Sequence, residues 1–245
     1  MAPGSEDGRG SPRGFRPRFR GRLGLADAAT VVNAALGFCA VVAATVSPVL
    51  AARVLLLAAI TDAVDGLLAR RYGGTAVGPV LDSLADVSSF GVAPAVLVVA
   101  AVRTTLPDDA LGVGLAVVVG AVFVGMAVVR LGIYTADDVG NEHTAGVPTT
   151  LAATVLAATV LAGFSRPVIV LPLAALLTVA MISSLRYADL RVRDALVMGV
   201  VQALAILLPD AFGRLFPRVL LAFAIAYLVL GPWLYRRGVG EGKRS

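Results

Sequence analysis

Apolar and polar positions along the chain fall into long blocks. Apolar stretches cover about 28–46, 50–70, 80–102, 110–133, 147–164, 167–185, 192–208 and 216–235, with short polar or Gly/Pro-bearing links between them. A helix that crosses a bilayer needs about 20 such residues, with about 17 as the lower limit, so the pattern predicts eight transmembrane helices. The stretch at 192–208 begins with Arg193 and Asp194, which leaves six or seven spans as the alternative count.

Ahead of the first block, Phe15, Phe19 and Leu23 recur every four residues among arginines. That spacing sets apolar groups on one helical face and cations on the other, and predicts an N-terminal interfacial helix. Residues 1–14, rich in Gly, Pro, Ser and Arg, are expected to form a disordered basic tail. Residues 15–238 then make one membrane-embedded domain, and 239–245 a polar C-terminal tail. The run at 28–46 is longer than the apolar core of a signal peptide, so it is expected to be retained as a span. The expected fold class is an all-α polytopic membrane bundle.

Composition agrees: 58% of the 245 residues are hydrophobic and only 15% charged, against about 25% charged in soluble domains. Among the 21 basic residues Lys243 is the single lysine. With the N-terminus in the cytoplasm, 16 of these 21 fall in the tail, the even-numbered loops and the C-terminus, so both ends are expected to be cytoplasmic. Trp233 and Tyr235 would close the last span as interfacial aromatics. The net charge of +5 suits anionic lipid headgroups; a nucleic-acid partner is not expected, because no basic patch is interleaved with aromatics. Cys39 is the only cysteine, so no intramolecular disulfide can form, and it is expected to be a small packing residue.

Candidate chemistry enters with Asp62, Asp65, Asp82 and Asp86, which interrupt or border two apolar blocks. An Asp at the centre of a membrane helix costs roughly 2.5–3.5 kcal/mol on insertion scales, so four facing lipid would cost on the order of 10 kcal/mol. They must face inward. Spacings of three and four put each pair on one helical face, and the Gly-rich link from Arg71 to Gly78 is short enough to form an antiparallel hairpin. Converging carboxylates require cations, and hard oxygen ligands suit Mg²⁺, Mn²⁺ or Ca²⁺. A two-ion site is well matched to phosphoryl chemistry, which makes pyrophosphate compounds the expected substrates. Inward acids also occur in cation-coupled transporters, but those are built from internal repeats and broken helices, and no repeat is visible here.

Asp62-x-x-Asp65-Gly66-x-x-Ala69-Arg70, followed by Gly78-x-x-x-Asp82-x-x-x-Asp86, resembles the signature of the CDP-alcohol phosphatidyltransferase family. One departure is visible: seven residues, Arg71 to Val77, separate Arg70 from Gly78 where the family pattern has eight. The runs Leu81–Pro94 and Met181–Tyr187 are similar to the phosphatidylserine synthase branch. The resemblance, over about residues 23 to 190, implies Asp62, Asp65, Asp82 and Asp86 as ligands of two Mg²⁺ or Mn²⁺ ions. Asp86 would also be the catalytic general base. Gly66, Ala69 and Gly78 would make room for the nucleotide, and Arg70 would contact the diphosphate. The implied substrates are a CDP-linked lipid and serine, with CMP released. The donor could carry a diacyl or an archaeal diether backbone, and glycerol phosphate or inositol phosphate is the alternative acceptor.

Arg130 ends an apolar run on the cytoplasmic side and is a candidate contact for the acceptor carboxylate or a phosphate. Asn33, one turn after Thr30, either touches the nucleotide or joins helices. Arg186 and Tyr187 match the branch pattern but also suit interface anchors. His143, in the polar loop from Asp137 to Thr144, lacks a second His or Cys and is expected to be solvated. Gly112, Gly114 and Gly120 suit close helix packing, including a homodimer seam.

Overall fold

The computed structural model describes residues 23–138, 143–188 and 192–242. The expected tail at 1–14, almost all of the expected interfacial helix, and the end of the C-terminal tail lie outside the described residues.

Helix α1 (Leu25–Val46) gives way after one residue to α2 (Pro48–Tyr72). Ser47 makes the break: its hydroxyl accepts from the Leu50 N–H at 3.4 Å, and Pro48 fills the first helical position, where a missing N–H is harmless. α3 (Gly78–Asp86) runs through a π-helical turn, Val87–Val92, into α4 (Ala93–Thr105). Pro94 accounts for the turn, because it has no N–H for the Phe90 carbonyl; the Ala93 N–H instead reaches back five residues to Ser88. α5 (Ala110–Ile133), capped by Asp109 at the Gly112 N–H, ends in a second π turn, Tyr134–Asp138. α6 (Thr149–Leu161), α7 (Pro167–Met181), α8 (Val192–Leu207) and α9 (Leu215–Gly242) complete the order.

With α3 and α4 taken as one rod, the described residues form eight helical rods, each within or overlapping one of the apolar blocks. Four of them, α1, α3–α4, α5 and α9, are long and apolar enough to cross a membrane. α2 has the length but carries Arg53, Asp62, Asp65, Arg70 and Arg71. α6, α7 and the apolar part of α8 are shorter. α6 is enclosed by other helices, with every residue buried except Thr150, and an interior helix can be shorter than a lipid-facing one.

The all-α expectation leaves out one small feature. β1 (His143–Ala145) pairs antiparallel with β2 (Arg186–Ala188), Thr144 opposite Tyr187. Gly146 closes this ribbon with φ +78°, and a Cβ there would stand 2.0 Å from the Met181 carbonyl oxygen, so only glycine fits.

Small side chains set the packing around the acids. α1 lies along α2 through Ala40, Ala43, Ala44, Ala51, Ala52, Ala58 and Ala59, a seam that lets the backbones approach closely. Gly37 does the same for the π turn, since its missing Cβ would come within 2.8 Å of the Ser89 Cα. α3 packs chiefly on α1, not on α2 as the hairpin expectation had it. Between α2 and α3 open the cavities that Asp62, Asp65 and Asp82 line.

Candidate metal centre and two flanking cavities

Asp62 of α2 and Asp82 and Asp86 of α3 each offer a carboxylate oxygen, and these three lie within 4.8 Å of one another. Asp86 is buried; Asp62 and Asp82 are half-buried. Three hard anionic oxygens at this separation fit a hard divalent cation of the Mg²⁺, Mn²⁺ or Ca²⁺ type.

Neighbouring helices hold the carboxylates in place. Asn33, fully buried on α1, donates from Nδ2 to Asp86 Oδ1 at 3.5 Å, and its backbone carbonyl accepts from Ser89 Oγ at 2.8 Å. Thr150 Oγ1 donates to Asp62 Oδ2 at 3.5 Å. Ser83 and Thr135 share a hydrogen bond that ties α3 to the end of α5. Asp65 stands outside the group of three, and its Oδ2 accepts from Thr30 Oγ1 at 2.9 Å.

Two cavities meet at these acids. The first, about 250 Å³, is lined by Ala26, Asp27 and Thr30 of α1, by Asp65, Gly66 and Ala69 of α2, and by Gly74, Thr75, Gly78, Pro79 and Asp82. The second, about 190 Å³, is lined by Asp62, Asp82, Asp86, Arg130, Leu131, Pro148, Thr149 and Thr150. Asp82 and Tyr134 border both. The acids therefore stand between two chambers of different character. The first is walled largely by small residues, whereas the second faces a buried guanidinium and the N-terminus of α6.

Most of the residues singled out in the sequence gather here. Asp62, Asp82, Asp86 and Arg130 share the second cavity, while Asp65, Gly66, Ala69 and Gly78 line the first. Arg70 is exposed and lines neither; its Nε donates to the Gly66 carbonyl at 3.2 Å. The Arg130 guanidinium lies 5.9 Å from the Tyr134 ring centroid.

Other candidates have structural roles. Tyr187 is buried, donates from its hydroxyl to the Leu228 carbonyl at 3.0 Å, and fills the space that Gly231 leaves, so it fastens β2 to α9. Gly120 faces Ala95 of α4 within the chain, whereas nothing stands within 4 Å of a Cβ at Gly114. Cys39 is exposed, not packed, because it sits on the outward face of α1. The side chains of His143, Trp233 and Tyr235 lie outside the described residues.

Sequence reasoning missed Asp27, Thr75, Thr149 and Thr150. An acid in the first turn of a helix reads as an ordinary cap, and threonines at a helix start carry no signal of their own.

A family model described as CDP-alcohol phosphatidyltransferase matches residues 23–229, which contain both cavities. Archaetidylserine synthase of Methanothermobacter thermautotrophicus is 31% identical over 135 residues, 54% of this chain and 55% of that protein. The chain thus spans about half the length of this curated relative.

Proposed function

Because the chain belongs to the CDP-alcohol phosphatidyltransferase family, we propose that it transfers a phosphatidyl or archaetidyl group from a CDP-linked lipid to the hydroxyl of L-serine, releasing CMP. The observation that carries this reading is the acid cluster standing between two unlike cavities. A displacement at phosphorus needs a donor chamber and an acceptor chamber that share the groups acting on the reacting atoms.

The first cavity suits the nucleotide diphosphate, because Gly66, Ala69 and Gly78 keep it open beside Asp65 and Asp82. Arg70 would turn from the Gly66 carbonyl to meet the diphosphate. The second cavity suits a small zwitterion. Arg130 and the free N–H groups at the start of α6 favour a carboxylate, and Asp62 and Asp86 favour an ammonium and a hydroxyl. The name of the relative, archaetidylserine synthase, supports serine and admits an archaeal diether donor.

Asp62, Asp65, Asp82 and Asp86 would hold two Mg²⁺ or Mn²⁺ ions. Such ions, when bound, neutralise the diphosphate and favour ionisation of the acceptor hydroxyl. Asp86 is the proposed base: it lines the acceptor cavity and not the donor cavity, and Asn33 orients it. It takes the hydroxyl proton as the serine oxygen bonds to the lipid-linked phosphorus and the bond to CMP breaks. No covalent enzyme intermediate is required.

The apolar helices and the family make this an integral membrane protein. We further propose that all eight rods cross the bilayer, with both termini and the acids on the cytoplasmic side. The 16 basic residues of the tail, even-numbered loops and C-terminus support this orientation.

The test is product identity: detergent-purified protein with CDP-diacylglycerol or CDP-archaeol, Mn²⁺ or Mg²⁺, and labelled serine, glycerol phosphate or inositol phosphate. Label entering lipid only from serine is the expected result. Lipid product only from a phosphorylated acceptor would overturn the serine assignment.

A further inference from the structure

We infer that Tyr187 is a positioning residue for the acceptor cavity. Its hydroxyl fastens the β1–β2 ribbon to a socket in α9, and the ribbon holds the first turn of α6 at the second cavity. The inference rests on the proposed acceptor role of that cavity.

No residue of the run Met181–Tyr187 lines either cavity. The run is the seat of the chain that enters α6. Tyr187 pairs with Thr144 and Arg186 with Ala145. The Gly146 N–H then donates to the Leu185 carbonyl at 2.7 Å, and the Val147 N–H to the Ala180 carbonyl at 3.1 Å. Val147 is fully buried, and the ring of Pro148 locks its φ, here −55°. The link from the ribbon to α6 is therefore short and stiff. A displacement of the ribbon passes directly to Thr149, only 1% exposed, and to Thr150, which donates to Asp62.

α9 supplies the socket. Pro232 lies inside this helix and has no N–H, so the Leu228 carbonyl four residues back lacks its helical donor. A buried carbonyl left without a partner is costly, and the Tyr187 hydroxyl donates to it at 3.0 Å. Gly231 leaves the space for the ring, because a Cβ there would stand 2.7 Å from Tyr187 Cδ1. Gly231 and Pro232 thus provide both the room and the acceptor for one side chain of a distant element. Phenylalanine would fill the same space, so the hydroxyl is there for this bond.

The first cavity has no share in this arrangement. Its walls come from α1, α2, α3, the link between α2 and α3, and Tyr134. Tyr187 should therefore act on the acceptor and leave the nucleotide alone.

The test separates positioning from stability. Tyr187→Phe removes the bond and leaves the Leu228 carbonyl without a donor. Adding Pro232→Ala returns a helical N–H to that carbonyl but leaves the ribbon unfastened. The full chain in detergent is assayed for serine KM, CMP affinity and thermal midpoint. Tyr187→Phe should lower the midpoint and raise the serine KM about threefold to tenfold, with CMP affinity within about twofold of wild type. In the double variant the midpoint should recover while the serine KM stays raised. A KM that recovers together with the midpoint overturns the inference, since Tyr187 would then serve stability alone. So does an unchanged KM in Tyr187→Phe, or a parallel fall in CMP affinity. Wild-type protein that does not use serine would overturn the acceptor reading itself.

Discussion

Thr30 Oγ1 donates a 2.9 Å hydrogen bond to Asp65 Oδ2, joining α1 to α2 where both residues are buried beside the first cavity. A hydrogen bond to a charged group contributes about 1.5–3 kcal/mol, and loss of the donor leaves a buried carboxylate oxygen short of one partner. Thr30→Val, close in shape, should lower the thermal midpoint in detergent and weaken Mn²⁺ binding. Thr30→Ser should restore most of both. Electron paramagnetic resonance of free Mn²⁺ gives the binding readout.

Asn33 should act on rate more than on assembly. Its Nδ2 reaches Asp86, and partners of this kind typically account for about 10–100-fold in affinity or activity at metal sites. Asn33→Ala is expected to lower kcat by about that factor, with nucleotide binding retained and the circular dichroism spectrum unchanged. An unchanged kcat would mean that Asp86 needs no help from α1.

Arg130 should govern the acceptor alone, because it lines the second cavity and not the first. Arg130→Lys keeps the charge but loses the planar fork that pairs with a carboxylate, and Arg130→Gln loses both. The KM for serine should rise about tenfold in the first and further in the second, while CMP affinity stays within about twofold. Equal loss for both substrates would move Arg130 to a structural role.

Two glycines separate close packing from open helix surface. Gly37→Ala puts a methyl group 2.8 Å from the Ser89 backbone, and overpacking of this kind costs about 1–3 kcal/mol. Gly125→Ala meets nothing within 4 Å and should be neutral or stabilising by up to about 1 kcal/mol. Paired thermal unfolding of the two variants, with activity alongside, checks both. Gly37→Ala should also slow turnover, because Asn33 and Asp86 lie on the two surfaces it would push apart.

Much of this was legible in the sequence, and the reason is the solvent. A bilayer demands long apolar runs, so the helix positions could be read from the blocks; charges are costly there, so Asp62, Asp82 and Asp86 stood out. What escaped was whatever such patterns do not encode. Strands as short as His143–Ala145 have no measurable period. The packing of α3 on α1, and not on α2, depends on which helix faces meet in the folded chain, which spacing along one helix does not specify. Asp27 was hidden because its position also suits a cap, and burial alone distinguishes it.

Metal-dependent transfer from a CDP-linked lipid, with Asp86 as the base, makes CMP release depend on serine, on the cation and on one carboxylate. The most direct measurement is CMP release by detergent-purified protein with a CDP-linked lipid and serine, with Mn²⁺ or excess chelator, in wild type and Asp86→Asn. CMP release should need both serine and the cation, and should fall at least about a hundredfold in Asp86→Asn with the helices intact. Serine- and cation-dependent release that persists in Asp86→Asn would contradict the assignment of the base. Folded wild-type protein that releases no CMP with any donor, acceptor and cation would contradict the function itself.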